Sequence, residues 1–579
     1  MEDQLGASNS AVNAILDTSF PPVWDISTLY ASPSDPAIEA DMGLLELDAS
    51  IFSDGRIPGD DPAALQRREE IAGGLRRLER YVELLEAEGC EAPELKARVR
   101  KFARSLHQRM LAFDLHLGQV PDNAPAAQER PWIVAKARRL ASDGLGAQRE
   151  MQARGLDDAA EWADRHAKNL AEIRAGQKDE NLIQLRAGLA SPDPSRRAAA
   201  ADALGHGLAG RLDALAACLN SMVRRRCKAQ RIRGLAHWLD ASRREQGASS
   251  QLTEAIIPTV SEHAPTARSF YDLKRRALGL PVLYERDRLA PWPGLASRCS
   301  WPEACALVLE SFGGVSKRLR AAARRVFESG RIHADPDAGG SAGPFCLPAG
   351  VRPEPFVRLR FRGAVEDVLT LAHETGHAVH HVLSHGQGPL QDTAAPIMAE
   401  TAACLSEELV LRRLVDQGRP QAALHRLERT MTLVFRQTAL LRFEERMYAI
   451  GAERGFGSAD LDQAWAGAHR AVYGGGLRLH AAAAHDWALV PHFYFSPGYV
   501  AAYVLGRLAA ADLAQRLLHR QSGLEDALIQ VLSQGLGPGV DKQYRSLGLN
   551  PNPPSFLDAA LTECRRLVQQ ATAACNPST

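Results

Sequence analysis

The chain has 579 residues, of which 45% are hydrophobic, and it balances 69 basic against 69 acidic side chains. A chain of this length can bury a large core and is long for one domain, so we expect two or more subdomains. The balanced charge gives no reason to expect a nucleic-acid or membrane partner.

Nine cysteines show no C-x-x-C pair and no regular spacing, which is typical of reduced thiols. The amino terminus lacks a basic stretch followed by an apolar core, and no apolar run is long enough to span a bilayer. We therefore expect a cytoplasmic protein.

Stretches rich in Ala, Leu, Glu and Arg dominate the first part of the chain. Residues 61–88 and 92–113 carry apolar side chains every three to four positions and few helix breakers, which predicts two long helices. Ser191-Pro-Asp-Pro-Ser195 interrupts this pattern. We expect an amino-terminal helical domain over residues 1–190 and a second domain over residues 191–579. Farther along, Phe356-Val-Arg-Leu-Arg-Phe361 alternates apolar and basic side chains and predicts a short strand.

Residues 364–382 read as one uninterrupted helix that contains His373-Glu374-x-x-His377. Side chains four residues apart share a face of a helix, so both imidazoles can reach one ion while Glu374 contacts a water on it. This arrangement is typical of zinc hydrolases. A chain with 18 histidines meets the pattern by chance at a rate on the order of a few per cent, and the helical setting argues against chance.

A catalytic zinc ion needs three protein ligands and a water, so a third ligand must lie elsewhere. His380 is nearest in sequence, but about 10.5 Å of helical rise separates it from His373, which makes convergence on one ion awkward. We assign His380 to packing or to contact with the residues that hold the ligands in place. Glu400 is the other candidate, because it follows a loop after which a helix could return antiparallel and bring the carboxylate alongside.

Several segments in chain order resemble the oligoendopeptidase F branch of the thimet oligopeptidase family of zinc metallopeptidases. Together they span residues 24 to 506. They are Trp24-Asp-Ile-Ser-Thr-Leu-Tyr30, Phe361-Arg-Gly-Ala-Val-Glu-Asp-Val-Leu-Thr370, the H-E-x-G-H motif, Ala399-Glu-Thr-Ala402 and His492-Phe-Tyr-Phe-Ser-Pro-Gly-Tyr-Val-Ala-Ala-Tyr-Val-Leu-Gly506.

The resemblance implies a mainly α fold, a helical bowl with a deep substrate channel and a small β-sheet near the zinc helix. It also implies one Zn²⁺ per chain, with Glu400 as the third ligand beside the two histidines, and short oligopeptides as substrates. Glu374 would take a proton from the metal-activated water and pass it to the leaving amine.

His492, Tyr499 and Tyr503 are available to donate to the oxyanion that forms during peptide hydrolysis. By resemblance, one tyrosine would bind the oxyanion and His492 would assist it or hold the substrate; buried aromatic bulk is the alternative for the tyrosines. The sequence departs from the family at Gly498, where an aromatic residue is usual, and at Ala501, where another tyrosine is common. The missing rings predict a roomier or more mobile wall.

Two interpretations of the strand at residues 356–361 remain open. It pairs with the peptide substrate by strand addition, with Arg358 and Arg360 favouring acidic side chains or the carboxyl end, or it presents a solvated face.

Three functions are compatible with these motifs. A zinc endopeptidase is our main prediction. The alternatives are a carboxy-terminal exopeptidase of the same family and a catalytically silent, zinc-containing peptide-binding protein. Glu374 disfavours the last alternative, because a purely structural zinc ion needs no general base.

Overall fold

The structure is a computed structural model and describes residues 21–53, 57–141, 144–158, 160–176, 179–294, 298–337, 343–350, 352–419 and 421–575. Helices predominate, and the described residues form one two-stranded and one three-stranded sheet. The predicted mainly α fold with a small sheet beside the H-E-x-x-H helix is confirmed.

The elements before residue 300 are helical apart from one short hairpin. They are α1 (Pro36–Ala49), α2 (Pro62–Ala87), α3 (Pro93–Leu117), α4 (Pro125–Glu129), α5 (Pro131–Ala141), α6 (Ala147–Asp157), α7 (Ala160–Ala171), β1 (Arg174–Ala175), β2 (Glu180–Asn181), α8 (Leu182–Leu189), α9 (Pro194–Ala209), α10 (Leu212–Ile232), α11 (Asp240–Gln246), α12 (Ser250–Glu254), α13 (Ile256–Glu262) and α14 (Ala264–Ala277). The two long helices predicted from apolar spacing are α2 and α3.

The remaining elements contain the second sheet and the helices that carry the candidate site. They are α15 (Trp301–Val315), α16 (Lys317–Glu328), β3 (Ile332–His333), β4 (Phe345–Leu347), β5 (Phe356–Arg358), α17 (Val365–Ser384), α18 (Pro396–Asp416), α19 (Gln421–Thr430), a π-helical turn (Met431–Arg436), α20 (Gln437–Glu453), α21 (Ser458–Tyr473), α22 (His492–Phe495), α23 (Val500–Leu518), α24 (Leu524–Leu532), α25 (Val540–Ser546) and α26 (Ser555–Cys575). No helix in these described ranges is both long enough and apolar enough to cross a membrane.

Three helices begin at an Asp-Pro pair. The carboxylates of Asp35, Asp61 and Asp193 accept hydrogen bonds from backbone N–H groups two residues ahead, at 2.8–2.9 Å. Proline suits the first helical position because its fixed φ is already helical and its missing N–H would have no partner there. The break predicted near residue 190 is therefore the gap between α8 and the capped start of α9.

Among the residues that the structure describes, the buried apolar side chains form two clusters. The first joins residues 24–137 with Ala349 and Phe356, and the second runs from Ile173 to Val568. A domain boundary after residue 190 stays a prediction; the packing of Ile173 and Leu185 places both side chains in the second cluster.

The Trp24 segment connects the amino-terminal helices to the sheet. The Trp24 side chain is buried, its indole N–H donates to Glu88 at 2.8 Å, and its ring packs edge-on against Phe356 at 5.6 Å between centroids. The Pro22 carbonyl accepts a hydrogen bond from the Ala334 N–H, just beyond β3. The segment thus closes the first apolar cluster against β5.

The three-stranded sheet has the order β3-β5-β4, with β5 parallel to β3 and antiparallel to β4. The predicted strand forms over Phe356–Arg358, but both of its edges are paired and Arg358 is only 2% exposed. Substrate pairing by this strand is therefore wrong, and so is a solvated face. The alternation of apolar and basic residues wrongly predicted an accessible basic face, because the Arg358 side chain lies in the interior.

Helix α18 lies between α17 and α23 and contacts both at close range. A Cβ added to Gly376 of α17 would lie 2.6 Å from the Ala403 Cα, and one added to Gly506 of α23 would lie 2.7 Å from the Glu400 carbonyl carbon. Real Cβ atoms do not approach backbone this closely. The two glycines therefore set the separation of the three helices.

We expect Gly376→Ala to force α17 and α18 apart and to lower the free energy of unfolding by about 1–3 kcal/mol, the usual cost of overpacking. Gly467→Ala is the matched control, because Gly467 lies on an exposed helical surface with no atom within 4 Å of the added Cβ. That control should be neutral or stabilising. Urea unfolding of the three proteins tests this, and equal midpoints for both variants would contradict it.

Candidate metal centre and active site

His373, His377 and Glu400 converge at the contact of α17 with α18. The two imidazoles stand nearly perpendicular, with ring centroids 4.8 Å apart. Glu400 places one carboxylate oxygen 3.6 Å from His373 Nε2 and the other 3.8 Å from His377 Nε2. The structure thus brings together the three predicted ligands, and Gly376 permits this because it lies between the two histidines at the closest point of the helices.

The donor set fits a zinc ion. Glu400 is 2% exposed, and its Oε2 atom has no hydrogen-bond partner within the described structure. Burial, aided by the neighbouring His373, holds the pKa of His377 well below its ordinary value, so that ring is neutral and can donate a lone pair. Two imidazole nitrogens and one carboxylate oxygen are the donor set of many catalytic zinc sites.

Cys404 Sγ also lies within 4.8 Å of the ligand atoms of His373 and Glu400. Burial raises the pKa of the Cys404 thiol well above its usual range, and the nearby carboxylates add to this effect. Metals prefer the thiolate. His377 is therefore the better third donor.

Sequence reasoning missed Glu407 and Arg429. Glu407 is fully buried and lies 2.6 Å from His373 Nδ1, and Arg429 donates two hydrogen bonds to the same carboxylate at 2.5 and 2.7 Å. Because a carboxylate only accepts, His373 Nδ1 carries the proton and Nε2 is left to bind a metal. The available signal was the spacing of Glu407, two helical turns after Glu400 and so on the same face.

Contacts among His373, Glu407 and Arg429 shift the pKa values of the histidine and the carboxyl group. Burial alone would lower the pKa of His373, but the hydrogen bond and charge of Glu407 raise it to about 9, so without a metal the ring also holds a proton on Nε2, which a bound metal displaces. Burial alone would raise the pKa of Glu407, but Arg429 and His373 hold it well below its usual range. Glu407 is therefore ionised under ordinary conditions.

Glu374 faces a cavity of about 310 Å³ that His373, His377, Glu400 and both predicted tyrosines also line. The carboxyl group is 5% exposed, and its Oε2 atom has no hydrogen-bond partner in the described structure. Burial, with repulsion from Glu400 and Glu407, raises the pKa of Glu374 to about 7. Such a value suits a group that accepts and releases a proton near neutral pH.

Tyr499, Tyr503 and His492 lie together, and the two tyrosines line the same cavity. The Tyr499 hydroxyl donates to Glu400 Oε1 at 2.8 Å, and the Tyr503 hydroxyl lies 3.3 Å from His492 Nε2. The two phenol rings are 5.3 Å apart. Burial lowers the pKa of His492 to about 4, so its ring is neutral.

His380 does not join the predicted ligands, although it lines the same cavity. Its ring is 2% exposed, and neither ring nitrogen has a hydrogen-bond partner in the described structure. Burial lowers the pKa of His380 to about 3. A neutral, enclosed imidazole agrees with the packing role predicted for it.

Gly498 does not leave a gap. Its φ is +78°, a conformation that favours glycine, and an added Cβ would lie 2.3 Å from the Leu239 side chain. Leu239 and Trp238 therefore fill the space that an aromatic ring at position 498 would take. The roomier wall predicted from the sequence does not occur at this position, because side chains distant in sequence occupy it.

A second cavity of about 750 Å³ lies beyond the first, and Tyr499 lines both. Its walls come from amino-terminal helices, which supply Arg68 and Lys136, and from the Trp238 and Tyr448 side chains. The two cavities therefore meet at the Tyr499 side chain.

Residues 339–563 match the model of peptidase family M3. Plasmid oligoendopeptidase F of Lactococcus lactis subsp. cremoris is 23% identical over 331 residues, which is 55% of each chain. Group B oligopeptidase PepB of Streptococcus agalactiae is 25% identical over 348 residues, 58% of this chain and 57% of that one. The matched part thus spans about half the length of these curated relatives.

Solved structures share the fold over nearly the whole chain. Oligoendopeptidase-F from Enterococcus faecium superposes with a TM-score of 0.73 at 17% identity, covering 93% of this chain and 99% of that one. PZ peptidase A with a bound inhibitor gives a TM-score of 0.77 at 14% identity, covering 92% and 98%.

The region matched by the family model includes all of the predicted ligands and active-site residues. Over this part the chain resembles peptidase family M3, and the curated relatives and solved neighbours named above include oligoendopeptidases F. The resemblance carried by the sequence motifs is confirmed.

Glu444 holds the loop that carries Tyr499, because its Oε1 atom accepts the Gly498 N–H at 3.0 Å. Burial raises the pKa of Glu444 to about 8. Between about pH 4.3 and that value the native state keeps a proton that the unfolded chain releases, so the free energy of unfolding falls as the pH rises.

We expect Glu444→Gln to remove this loss, which is up to about 1.4 kcal/mol per pH unit within the window. Denaturant unfolding at about pH 5 and about pH 8 measures it. The exposed neighbour supplies the control Glu445→Gln, which should keep the wild-type pH dependence. Parallel pH profiles for Glu444→Gln and the wild type would contradict the expectation.

Proposed function

We propose that this chain is a zinc-dependent endopeptidase that hydrolyses short oligopeptides. The observation that carries the proposal is that the Glu400 carboxylate lies within 4 Å of a ring nitrogen of both His373 and His377, beside the buried Glu374 carboxyl group. When bound there, a zinc ion supplies an acidified water and polarises the substrate carbonyl.

The protein groups have distinct tasks in this proposal. Glu374 takes the proton from the attacking water and passes it to the leaving amine. Glu407 and Arg429 keep His373 in the tautomer that leaves Nε2 available. Glu400 is oriented by the Tyr499 hydroxyl, which already donates to it.

Tyr503 is the better candidate to donate to the oxyanion. Its hydroxyl lines the cavity but makes no hydrogen bond to a predicted ligand in the described structure. If neutral His492 donates its Nε2–H to the Tyr503 oxygen, the phenol proton is left to point at the developing charge.

The substrate class follows from the shape of the interior. Cavities of about 310 and 750 Å³ enclosed by helices accommodate an extended peptide but exclude a folded domain. Strand β4 has a partner only on its β5 side among the described residues, and its Phe345 and Cys346 line the smaller cavity. We infer that β4, and not β5, receives the substrate backbone by strand addition.

Cleavage of an internally quenched peptide, blocked at both ends, tests the proposal. We expect turnover by the wild type and near-complete loss of kcat in Glu374→Gln at matched zinc content, because the variant cannot accept the proton. A blocked peptide offers no free terminus, so the assay also separates endopeptidase from exopeptidase activity. Absence of cleavage by the zinc-loaded wild type would contradict the proposed function.

We expect Tyr503→Phe to lower kcat by about 10²–10³-fold with little change in KM, as for loss of an oxyanion donor. Tyr499→Phe should instead weaken zinc binding, since it removes a hydrogen bond to Glu400. Steady-state kinetics at saturating zinc distinguishes the two effects. If Tyr503→Phe retains wild-type kcat, another group must stabilise the oxyanion.

We expect Glu407→Gln to weaken zinc binding about 10–100-fold, the usual result of losing the carboxylate partner of a ligating histidine. Zinc transfer to a competing chelator gives the affinity. Glu310→Gln is a suitable control. Glu310 of α15 pairs at the protein surface with Arg413, which lies on α18 as Glu407 does. Equal affinities for the wild type and Glu407→Gln would show that Glu407 does not orient His373.

A further inference from the structure

A second pair of histidines lies at the carboxyl end of α17. His381 and His385 are four residues apart, as His373 and His377 are, and their ring centroids lie 5.7 Å from each other. Asp392 approaches from the loop that follows, with Oδ2 3.8 Å from His385 Nδ1. One ligand atom from each of the three residues can be chosen so that all three lie within 4.8 Å of one another.

The two imidazoles have unsatisfied nitrogens. His381 is 5% exposed, and neither of its ring nitrogens makes a hydrogen bond of normal geometry in the described structure. The Nδ1 atom of His385 is likewise buried without a hydrogen-bond partner there. A buried polar atom without a partner costs about 1–3 kcal/mol, and because the Asp392 carboxylate lies beside these rings, unlike at His380, a bound cation would satisfy them.

We propose that His381, His385 and Asp392 bind a second divalent cation of the zinc class, distinct from the ion held by His373, His377 and Glu400. Two imidazoles and a carboxylate suit zinc and the neighbouring late transition metals, and water would complete the coordination. Calcium and magnesium are disfavoured because they require mainly oxygen ligands.

The electrostatics of this site favour weaker binding of an ion than at His373, His377 and Glu400. Burial lowers the pKa of His381 to about 4, so the ring is neutral and retains its lone pairs at neutral pH. Asp392 supplies the negative charge, but both of its oxygens also accept hydrogen bonds from Arg76, at 2.8 and 3.0 Å. The guanidinium shares the carboxylate and repels a cation, which lowers the affinity.

The three ligand atoms must move closer together to bind an ion. Zinc bonds of 2.0–2.1 Å place tetrahedral ligand atoms about 3.4 Å apart, closer than they stand here. The His385 side chain is 31% exposed and lies at the end of the helix, so its ring can turn inward and also leaves a route from solvent. Asp392 is fixed by Arg76 and by the Ser384 hydroxyl, which donates to its backbone carbonyl at 2.6 Å.

The bound ion would brace one wall of the substrate cavity. Thr393 and Ala394 directly follow Asp392 and line the smaller cavity, while Arg76 belongs to α2 of the amino-terminal half. An ion at this place links α17, the loop and, through Asp392, α2. Its role is structural, because Glu374 and both tyrosines face the other ion.

Metal content tests the proposal on the untagged, full-length chain. Wild type, His385→Ala, His373→Ala and the double variant are stripped with a chelator and dialysed against buffered free zinc, and bound zinc is measured by elemental analysis. We expect two, one, one and no ions, respectively. His519→Ala, which removes an exposed histidine, should match the wild type.

The design separates this site from the proposed catalytic one. One ion in the wild type, one in His373→Ala and none in His385→Ala would support the second site alone. Equal zinc content in wild type and His385→Ala, or in His373→Ala and the double variant, would overturn it. Thermal unfolding adds a check, since zinc should raise the Tm of His373→Ala but not of the double variant.

Discussion

The separation of α17, α18 and α23 controls the candidate site. Helices normally pack with axes 8–10 Å apart, and side chains at the contact set that distance. Here Gly376 and Gly506 remove side chains from both sides of α18 at the level of Glu400. The Glu400 carboxylate can then reach His373 and His377 from one side and Tyr499 from the other. The proposed metal ligands, general base and oxyanion donor all depend on this one contact.

The close packing of these helices buries carboxylates, and each buried charge needs a charged partner. Glu400, Glu407 and Glu408 of α18 are at most 2% exposed. Burial alone would raise the pKa of Glu408, but Arg426, Arg507 and Arg412 lower it to about 2. A buried carboxylate is tolerated only when charged partners and hydrogen bonds replace its water. The arginines of α19 and α23 thus neutralise buried carboxylates of α18, the helix that carries the candidate ligand Glu400.

The sequence alone predicted those parts of the site that depend on short spacing. His373, Glu374 and His377 follow from helical periodicity, and Glu400 follows from its motif in a returning helix. Glu407 was missed because its partners, His373 and Arg429, lie 34 and 22 residues away and no local pattern links them. The position of β5 between β3 and β4 was missed for a related reason, since strand order depends on pairing across long loops.

The Trp24 segment and the first apolar cluster affect the order in which the chain folds during synthesis. That cluster is built from residues 24–137 but is completed by Ala349 and Phe356, which leave the ribosome more than two hundred residues later. Contacts so distant in sequence form slowly and leave apolar surface exposed meanwhile. The amino-terminal helices, although made first, therefore keep part of their core open until the sheet forms.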